Sequence, residues 1–514
     1  MTATAERVAR NASYTLAGNL VASIAGAVSS VVLARLLGPP AFGTYALVLS
    51  SAGILGLLAS LGVPHGATKY VAEYQGRGES GTAGQVLAAL VRLEAAMAIA
   101  VGAAAFLLAP LLQRVFEAPG FATAFRIAAA GLVPATLAGL LLAALQGLQD
   151  YRRVTLISLA STLFLLSATV GLLAAGAGVA GAVGALAAAA TLSGLLGWRA
   201  LRHHLRLPLR GCRLPGSARA KLRRYVPTVS LVLLLDTVVW QRSEVFFLGV
   251  FRTPQEVAWY ALAFGAAATL MRLLPRALSF VLPPVASSLY GAGDREGLQT
   301  LFDVGSRYVL MLAAPLVVGG ALLARPLLTS LYGERYGPAA AVFPLLLAAA
   351  GAGAVGSVTA GIQNGIERQD LVLKVALVAT VVNIVLDITL IPRFGLSGAA
   401  VANAAAQVGA VAAGIVLTGR VLGIRFPTRD CLRVLAAAGA SGLPAYGVAA
   451  TIGGVRGLAA AVAAAAVAYP VALLAAGALR TSDVERLQAA RDALPGRLRP
   501  GYGGLLRLAA RWTA

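Results

Sequence analysis

Apolar residues run along this chain in long unbroken stretches, and polar residues gather in the short gaps between them. A bilayer-crossing helix needs about 20 mostly apolar residues. About fourteen stretches reach that length. In the first half they cover 12–36, 42–63, 84–112, 121–147, 153–175 and 178–200. In the second half they cover 226–250, 256–284, 300–324, 338–362, 372–391, 396–419, 431–454 and 457–479. The pattern predicts an all-α polytopic membrane protein.

The pattern occurs twice, at an offset of roughly 216 residues. LLAPLLQRVF (107–116) returns as LLARPLLTSLY (322–332), ALQGLQD (144–150) as IQNGIERQD (362–370), and GVAGAVGA (178–185) as GLSGAAVA (395–402). The matches keep their order and include Gln, Asp, Pro and turn positions. Twelve stretches therefore form two pseudo-symmetric six-helix lobes, and two C-terminal helices are added. Internal repeats of membrane helices are how secondary transporters build a central site with access from two sides. The expected division is a first lobe over 1–200, a basic linker over 201–225, a second lobe over 226–420, two further spans over 421–480 and an amphipathic tail over 481–514.

Composition agrees with a bilayer as solvent. Of the 514 residues 59% are hydrophobic and 12% charged, where a soluble domain carries about 25% charge. The formal net charge of +22 raises nucleic acid as a partner, but its placement does not. Basic residues crowd alternate loops, as in 199–224, which holds nine Lys and Arg and no acid. This is the positive-inside pattern, and it puts both termini in the cytoplasm of an inner (plasma) membrane, facing membrane lipids. The first apolar run reads as an uncleaved span. The two cysteines, Cys212 and Cys431, predict no disulfide, and no His, Cys and carboxylate cluster has metal spacing. No cofactor is expected, and a monomer is the default.

Two stretches carry a resemblance. ARLLGPPAFGTYALVLS (34–50) and SEVFFLGVFRTPQEVAWYALA (243–263) resemble the signatures at spans 1–2 and 7–8 of the polysaccharide-transporter branch of the multidrug/oligosaccharidyl-lipid/polysaccharide exporter superfamily. The resemblance covers roughly 8–480. It implies two lobes facing a central cavity lined by spans 1, 2, 7 and 8. It also implies movement of undecaprenyl-pyrophosphate-linked oligosaccharide by alternating access, often coupled to an ion gradient of Na+ or H+.

Ionisable residues deep in a span are functional candidates by default, because a charge in the bilayer costs several kcal/mol. Asp236, Arg242 and Glu244 fall in span 7, Arg272 and Arg276 in span 8, and Arg35 at the end of span 1. Arg272 and Arg276 are four apart and so share a helix face. Guanidinium groups match phosphate oxygens, so in a wet cavity they suit pyrophosphate, with Asp236 at a depth to pair with Arg272. Glu244 reads as a gate or ion-coupling residue, or as a partner of Arg35. Arg92 and Arg307 match across the repeat and read as inner-surface anchors, with Glu94 beside Arg92. Lys374 and Asp387 read as interfacial ends of span 11. Asn383 is polar within the same span.

The leading function is a lipid-linked oligosaccharide flippase of the bacterial inner membrane, serving cell-surface polysaccharide synthesis. A lipid II flippase would show more arginine in spans 1 and 2. A drug exporter would show a more acidic cavity. A polymerase or ligase would need a large external loop, whereas the external segments near 110–121 and 325–338 are about a dozen residues each. No enzymatic activity is expected.

Overall fold

The computed structural model describes residues 2–205, 216, 243–271, 273–479 and 483. These form fifteen α-helices and one 3-10 turn, with no strand among the described residues. The first half contributes α1 (Thr2–Ser60), α2 (Val63–Gly76), α3 (Ser80–Phe116), α4 (Phe121–Gly147), α5 (Tyr151–Ala174) and α6 (Gly178–Leu201). The second contributes α7 (Ser243–Phe251), α8 (Pro254–Met271), α9 (Leu273–Gly291), α10 (Arg295–Leu322), α11 (Ala324–Tyr332), α12 (Ala339–Gly365), α13 (Gln369–Leu422), α14 (Thr428–Ile452) and α15 (Gly454–Ala475).

Helices are the natural choice in lipid, because they satisfy every backbone N–H and C=O within one segment. Among the described residues ten helices are long and apolar enough to cross a membrane. α13 is too long for one crossing. Its 54 residues at 1.5 Å each would run about 80 Å, against a hydrocarbon core of about 30 Å. It breaks at Gly395 (φ 53, ψ −128), and α1 breaks likewise at Gly38 (φ 71, ψ 169). Both breaks fall where the hydropathy pattern places a joint, between spans 11 and 12 and between spans 1 and 2. Span 7 is described only from Ser243 onward, in α7.

The burial pattern fits an apolar solvent. Leu107 is 77% exposed and Val467 72%, on helices whose other faces are packed. The outward faces are as apolar as the core, which is the mark of a lipid-facing surface.

The chain clusters into two compact units. One is Met1–Leu262 with Asn383–Ala399, the other Ala263–Val382 with Ala400–Ala514. In the first, α2 lays Val63, Ala67, Tyr70, Val71 and Tyr74 into a core shared with α3 and α4. Phe116 stacks edge-on against Phe121 and Phe246. In the second, Leu282, Phe302, Val309, Val358 and Ile362 form one core, and Val434, Ala437, Ala438 and Leu473 tie α14 and α15 to Ala314 of α10.

The duplication is visible in the backbone as well as in the letters. Gln149 and Glu367, in the two matched turns, both have φ 61. Glu117 (φ 46) answers Gly333 (φ 100), Gly78 (φ 77) answers Gly293 (φ 71), and Gly178 (φ 54) answers Gly395 (φ 53). Left-handed geometry disfavours most residues with a Cβ, so its return at the matched non-glycine pair Gln149 and Glu367 means that this turn was kept in both halves.

The matched arginines are not treated alike. Arg92 is exposed and turns back to the Ala88 carbonyl. Arg307 is 2% exposed and is ion-paired to Asp483, which also accepts a hydrogen bond from Tyr308 Oη at 2.6 Å. Only Arg92 keeps the surface position expected of both. Breaking a buried ion pair by removing one partner leaves a stranded charge and costs about 3–5 kcal/mol. Asp483→Ala should therefore lower stability in detergent by about that amount, and Asp483→Ala with Arg307→Met should recover most of it. Thermal or denaturant unfolding checks this; a single variant as stable as wild type would show that the pair is dispensable.

Candidate functional site

In the first unit, α7 and the Asn383–Ala399 part of α13 bring together a cluster of polar groups. Asn383 and Asp387 are four apart, so both side chains leave the same face of the helix. Ser243 and Glu244 open α7. Asn383 Nδ2 donates to Ser243 Oγ at 2.8 Å, to Glu244 Oε1 at 3.2 Å and to Asp387 Oδ2 at 3.4 Å. Tyr260 of α8 stands beside both carboxylates. Glu244, Asp387, Asn383 and Tyr260 are all buried.

Glu244 and Asp387 act on each other as like charges, in a place where ionised groups cannot rely on water. Two carboxylates sharing such a site cannot both ionise without help. A single amide donates to both of them. Asp387 Oδ1 and Asn383 Oδ1 are buried and accept no hydrogen bond. Buried acceptors of this kind are normally satisfied. The oxygens of Glu244, Asp387, Asn383 and Ser243 suit a small hard cation, which favours carboxylate and carbonyl donors, or a shared proton. Among the described residues no group of three or more His, Cys, Asp or Glu could hold a metal ion.

A second set of contacts fixes the same two segments. The break at Gly395 frees backbone groups that a continuous helix would pair internally. Arg252 Nε and Nη2 donate to the carbonyls of Ile391 (3.3 Å) and Pro392 (2.8 Å), and Glu256 Oε2 accepts from Leu396 N at 3.0 Å. A Cβ at position 395 would run into the Glu256 carboxylate.

Of the residues singled out from sequence, Glu244 lies in this cluster. Arg35 is exposed on α1, three residues before the Gly38 break. Asp236, Arg242 and Arg272 lie outside the described residues, and Arg276 lies in α9 with its side chain outside them. Asp387, read from the hydropathy pattern as an interfacial end of span 11, is fully buried within the protein. The helix continues beyond it to the Gly395 break. The i, i+4 spacing of Asn383 and Asp387 within an apolar stretch is the signal that would have exposed the pair.

The model of a family described as polysaccharide biosynthesis protein matches residues 8–290, more than half of the chain. The chain belongs to that family. It is a member of the polysaccharide-transporter branch of the multidrug/oligosaccharidyl-lipid/polysaccharide exporter superfamily. A second family model, MatE, matches residues 232–389, a range that contains Glu244, Tyr260, Asn383 and Asp387. Among curated relatives, the probable flippase AglR of Haloferax volcanii is 28% identical over 172 residues, 33% of this chain and 34% of that one. An uncharacterized membrane protein of Methanocaldococcus jannaschii is 29% identical over 121 residues, 24% of each chain. The chain thus spans between a quarter and a third of the length of these relatives. Among solved structures, a lipid II flippase MurJ in an inward closed conformation superposes with a TM-score of 0.72 at 14% identity, covering 89% of this chain and 97% of that one. An inward-facing multidrug resistance transporter of the MATE family gives 0.66 at 18% identity, covering 78% and 94%. At these identities the likeness establishes the fold.

Gly395→Ala should cost about 1–3 kcal/mol, because it strains a positive-φ backbone and displaces the Glu256 carboxylate. Measured by thermal unfolding, the loss should shrink in a Glu256→Ser background. An equal loss in both backgrounds would place the cost in the backbone alone.

Proposed function

We propose that this protein is a flippase for lipid-linked oligosaccharide of the undecaprenyl-pyrophosphate type. It would act in the bacterial inner membrane, with both termini cytoplasmic, in cell-surface polysaccharide biosynthesis. The observation that carries the reading is the family match over 8–290 on a duplicated, polytopic chain. The names of two similar proteins, a probable flippase and a lipid II flippase, support it. In this reading the two six-helix lobes, 1–200 and 226–420, alternate access to a central cavity. The head group is anionic, and Arg272, Arg276, Arg242 and Arg35, with Asp236 as a counter-charge, are the cavity residues that would replace its lost hydration. The process breaks no bond, so no catalytic residue is required.

The buried carboxylate pair is the proposed coupling site. A cation or proton between Glu244 and Asp387 would cancel their repulsion and favour the arrangement in which α7 and α13 meet. Its loss would favour the arrangement in which they part. A ligand shifts such an equilibrium only by its differential affinity for the two states. The MatE match over 232–389 favours one further reading, an ion-coupled exporter of drugs. The net basic set of cavity candidates weighs against cationic cargo.

Two measurements test the proposal. Deleting the gene should leave complete lipid-linked oligosaccharide on the cytoplasmic leaflet, with rescue by wild type and not by Arg272→Ala; normal delivery to the outer leaflet would sink the flippase reading. In proteoliposomes, Glu244→Gln and Asp387→Asn should each reduce ion-gradient-driven flipping by roughly tenfold or more, within the range of coupling free energies of about 1–3 kcal/mol. The purified wild type should be stabilised by Na+, or by acid, while the two variants lose that dependence. Wild-type coupling in both variants would remove the pair from the mechanism.

A further inference from the structure

Glu94 lies in the middle of α3 and is fully buried. Among the described residues neither carboxylate oxygen has a hydrogen bond of full geometry, and the polar group beside them is the Ser60 side chain. One turn further along α3, Ala98 packs with Ala59 and Leu55 of α1 and Leu132 and Val133 of α4, all apolar. The group that faces Glu94 is the Ser60 hydroxyl, and no charged group acts on it among the described residues. An ionised carboxylate in such surroundings has only the Ser60 hydroxyl to set against its desolvation. This differs in kind from the Glu244 and Asp387 cluster, where an amide and a hydroxyl are built in.

Packing does not call for a carboxylate here. Arg92 matches Arg307 across the repeat, so Glu94 matches Val309. Val309 is 1% exposed and part of an apolar core. The same architectural position is thus filled in one half by valine and in the other by an acid.

Ser60 also lines a cavity. A space of about 460 Å³ runs between the second half of α1, α4 and α6, past Gly56, Ser60, Pro64 and Thr136. An adjoining space of about 360 Å³ shares Gly53, Gly56, Ser60 and Pro64 with it and reaches His65. His65 is exposed, and imidazole is the side chain best suited to pass protons near neutral pH. Both spaces are large enough for several waters, and the side chains of Ser60, Thr136 and His65 are the polar groups on their walls that would hold them.

The geometry points to Glu94 as a proton-binding site that exchanges through Ser60 and this cavity with His65. In release, the Glu94 O–H bond breaks and the proton passes to the Ser60 hydroxyl. Ser60 gives its own proton to water in the cavity, and the proton ends on the His65 ring nitrogen. Uptake runs in reverse. The ligand is the proton itself, and the site is chemically separate from the carboxylate pair of α7 and α13. The inference goes beyond the flippase reading and does not depend on which substrate is carried.

Infrared spectroscopy on the full chain in lipid nanodiscs tests it. At neutral pH, wild type should show the carbonyl stretch of a protonated carboxylic acid that Glu94→Gln removes and Glu94→Asp retains at a shifted frequency. Glu244→Gln, measured alongside, identifies any acid signal from the other cluster. In heavy water the Glu94 band should shift by exchange, and Ser60→Val and His65→Asn should slow that exchange by about 100-fold, the scale of a lost proton-transfer group. An acid region unchanged by Glu94→Gln in a folded, monodisperse variant would mean that Glu94 is ionised and would overturn the proposal. So would a band whose exchange is indifferent to both Ser60→Val and His65→Asn. None of these readouts involves flipping, so this inference and the flippase reading fail separately.

Discussion

A charge or hydrogen-bonding group away from water must find its partner inside the protein, and that constraint decides where the polar residues of this chain sit. Backbone groups meet it by forming helices. Where a helix breaks, other groups step in: at Gly395 the freed carbonyls take Arg252 and the freed N–H takes Glu256. Arg307, buried on α10, meets part of the constraint with an opposite charge from Asp483, while its Nε and Nη1 take no hydrogen-bond partner among the described residues. The Gly395 break is settled by the chain's own residues. Asp387 and Glu94 differ: each has buried acceptor oxygens that take no hydrogen bond of good geometry among the described residues.

The duplication supplies an internal reference for judging those exceptions. Matched turns keep their left-handed residues, so the two halves share a backbone design. Against it, the ionisable groups stand out as departures. Counted back from the matched breaks at Gly178 and Gly395, Asn383 and Asp387 correspond to Leu166 and Val170. Glu94 corresponds to Val309. An apolar residue suffices at each of these places in the other half, so the folding of a six-helix repeat does not demand the polar one. What an unpaired acid contributes must then lie outside stability, because its burial opposes folding.

The spans, their joints and the repeat were legible from hydropathy because the bilayer imposes a length on every helix, and Gly38 and Gly395 break where the pattern says. Depth within a span was less legible. Asp387 lies near the end of an apolar stretch that stops before Pro392, so counting letters put it at an interface. In three dimensions the helix runs on to Gly395, and Asn383 draws Asp387 against Glu244. Glu244 was recognised as an ion-coupling candidate, but its partners come from a segment roughly 140 residues away, a distance that no local pattern spans. Arg92 and Arg307 show the opposite limit: identical residues at equivalent positions diverge because a residue beyond the repeat, Asp483, reaches only one of them.

The two unsatisfied acid sites ask for different ligands. Around Glu244 and Asp387, four oxygen-bearing side chains converge, and two of them are carboxyl groups that repel each other when both are ionised. Placing a positive charge there removes a repulsion and fills empty acceptors at once, so an ion of fixed charge can be held as well as a proton. Around Glu94 there is one carboxyl, one hydroxyl and an apolar wall. A metal cation would have too few oxygens to replace its hydration shell, while a proton needs only the carboxyl itself. The lone acid is therefore selective for protons by poverty of ligands, and the paired acids are open to cations by their abundance. On the readings proposed above, a chain with both kinds of site would respond to two gradients without either ligand competing for the other's place.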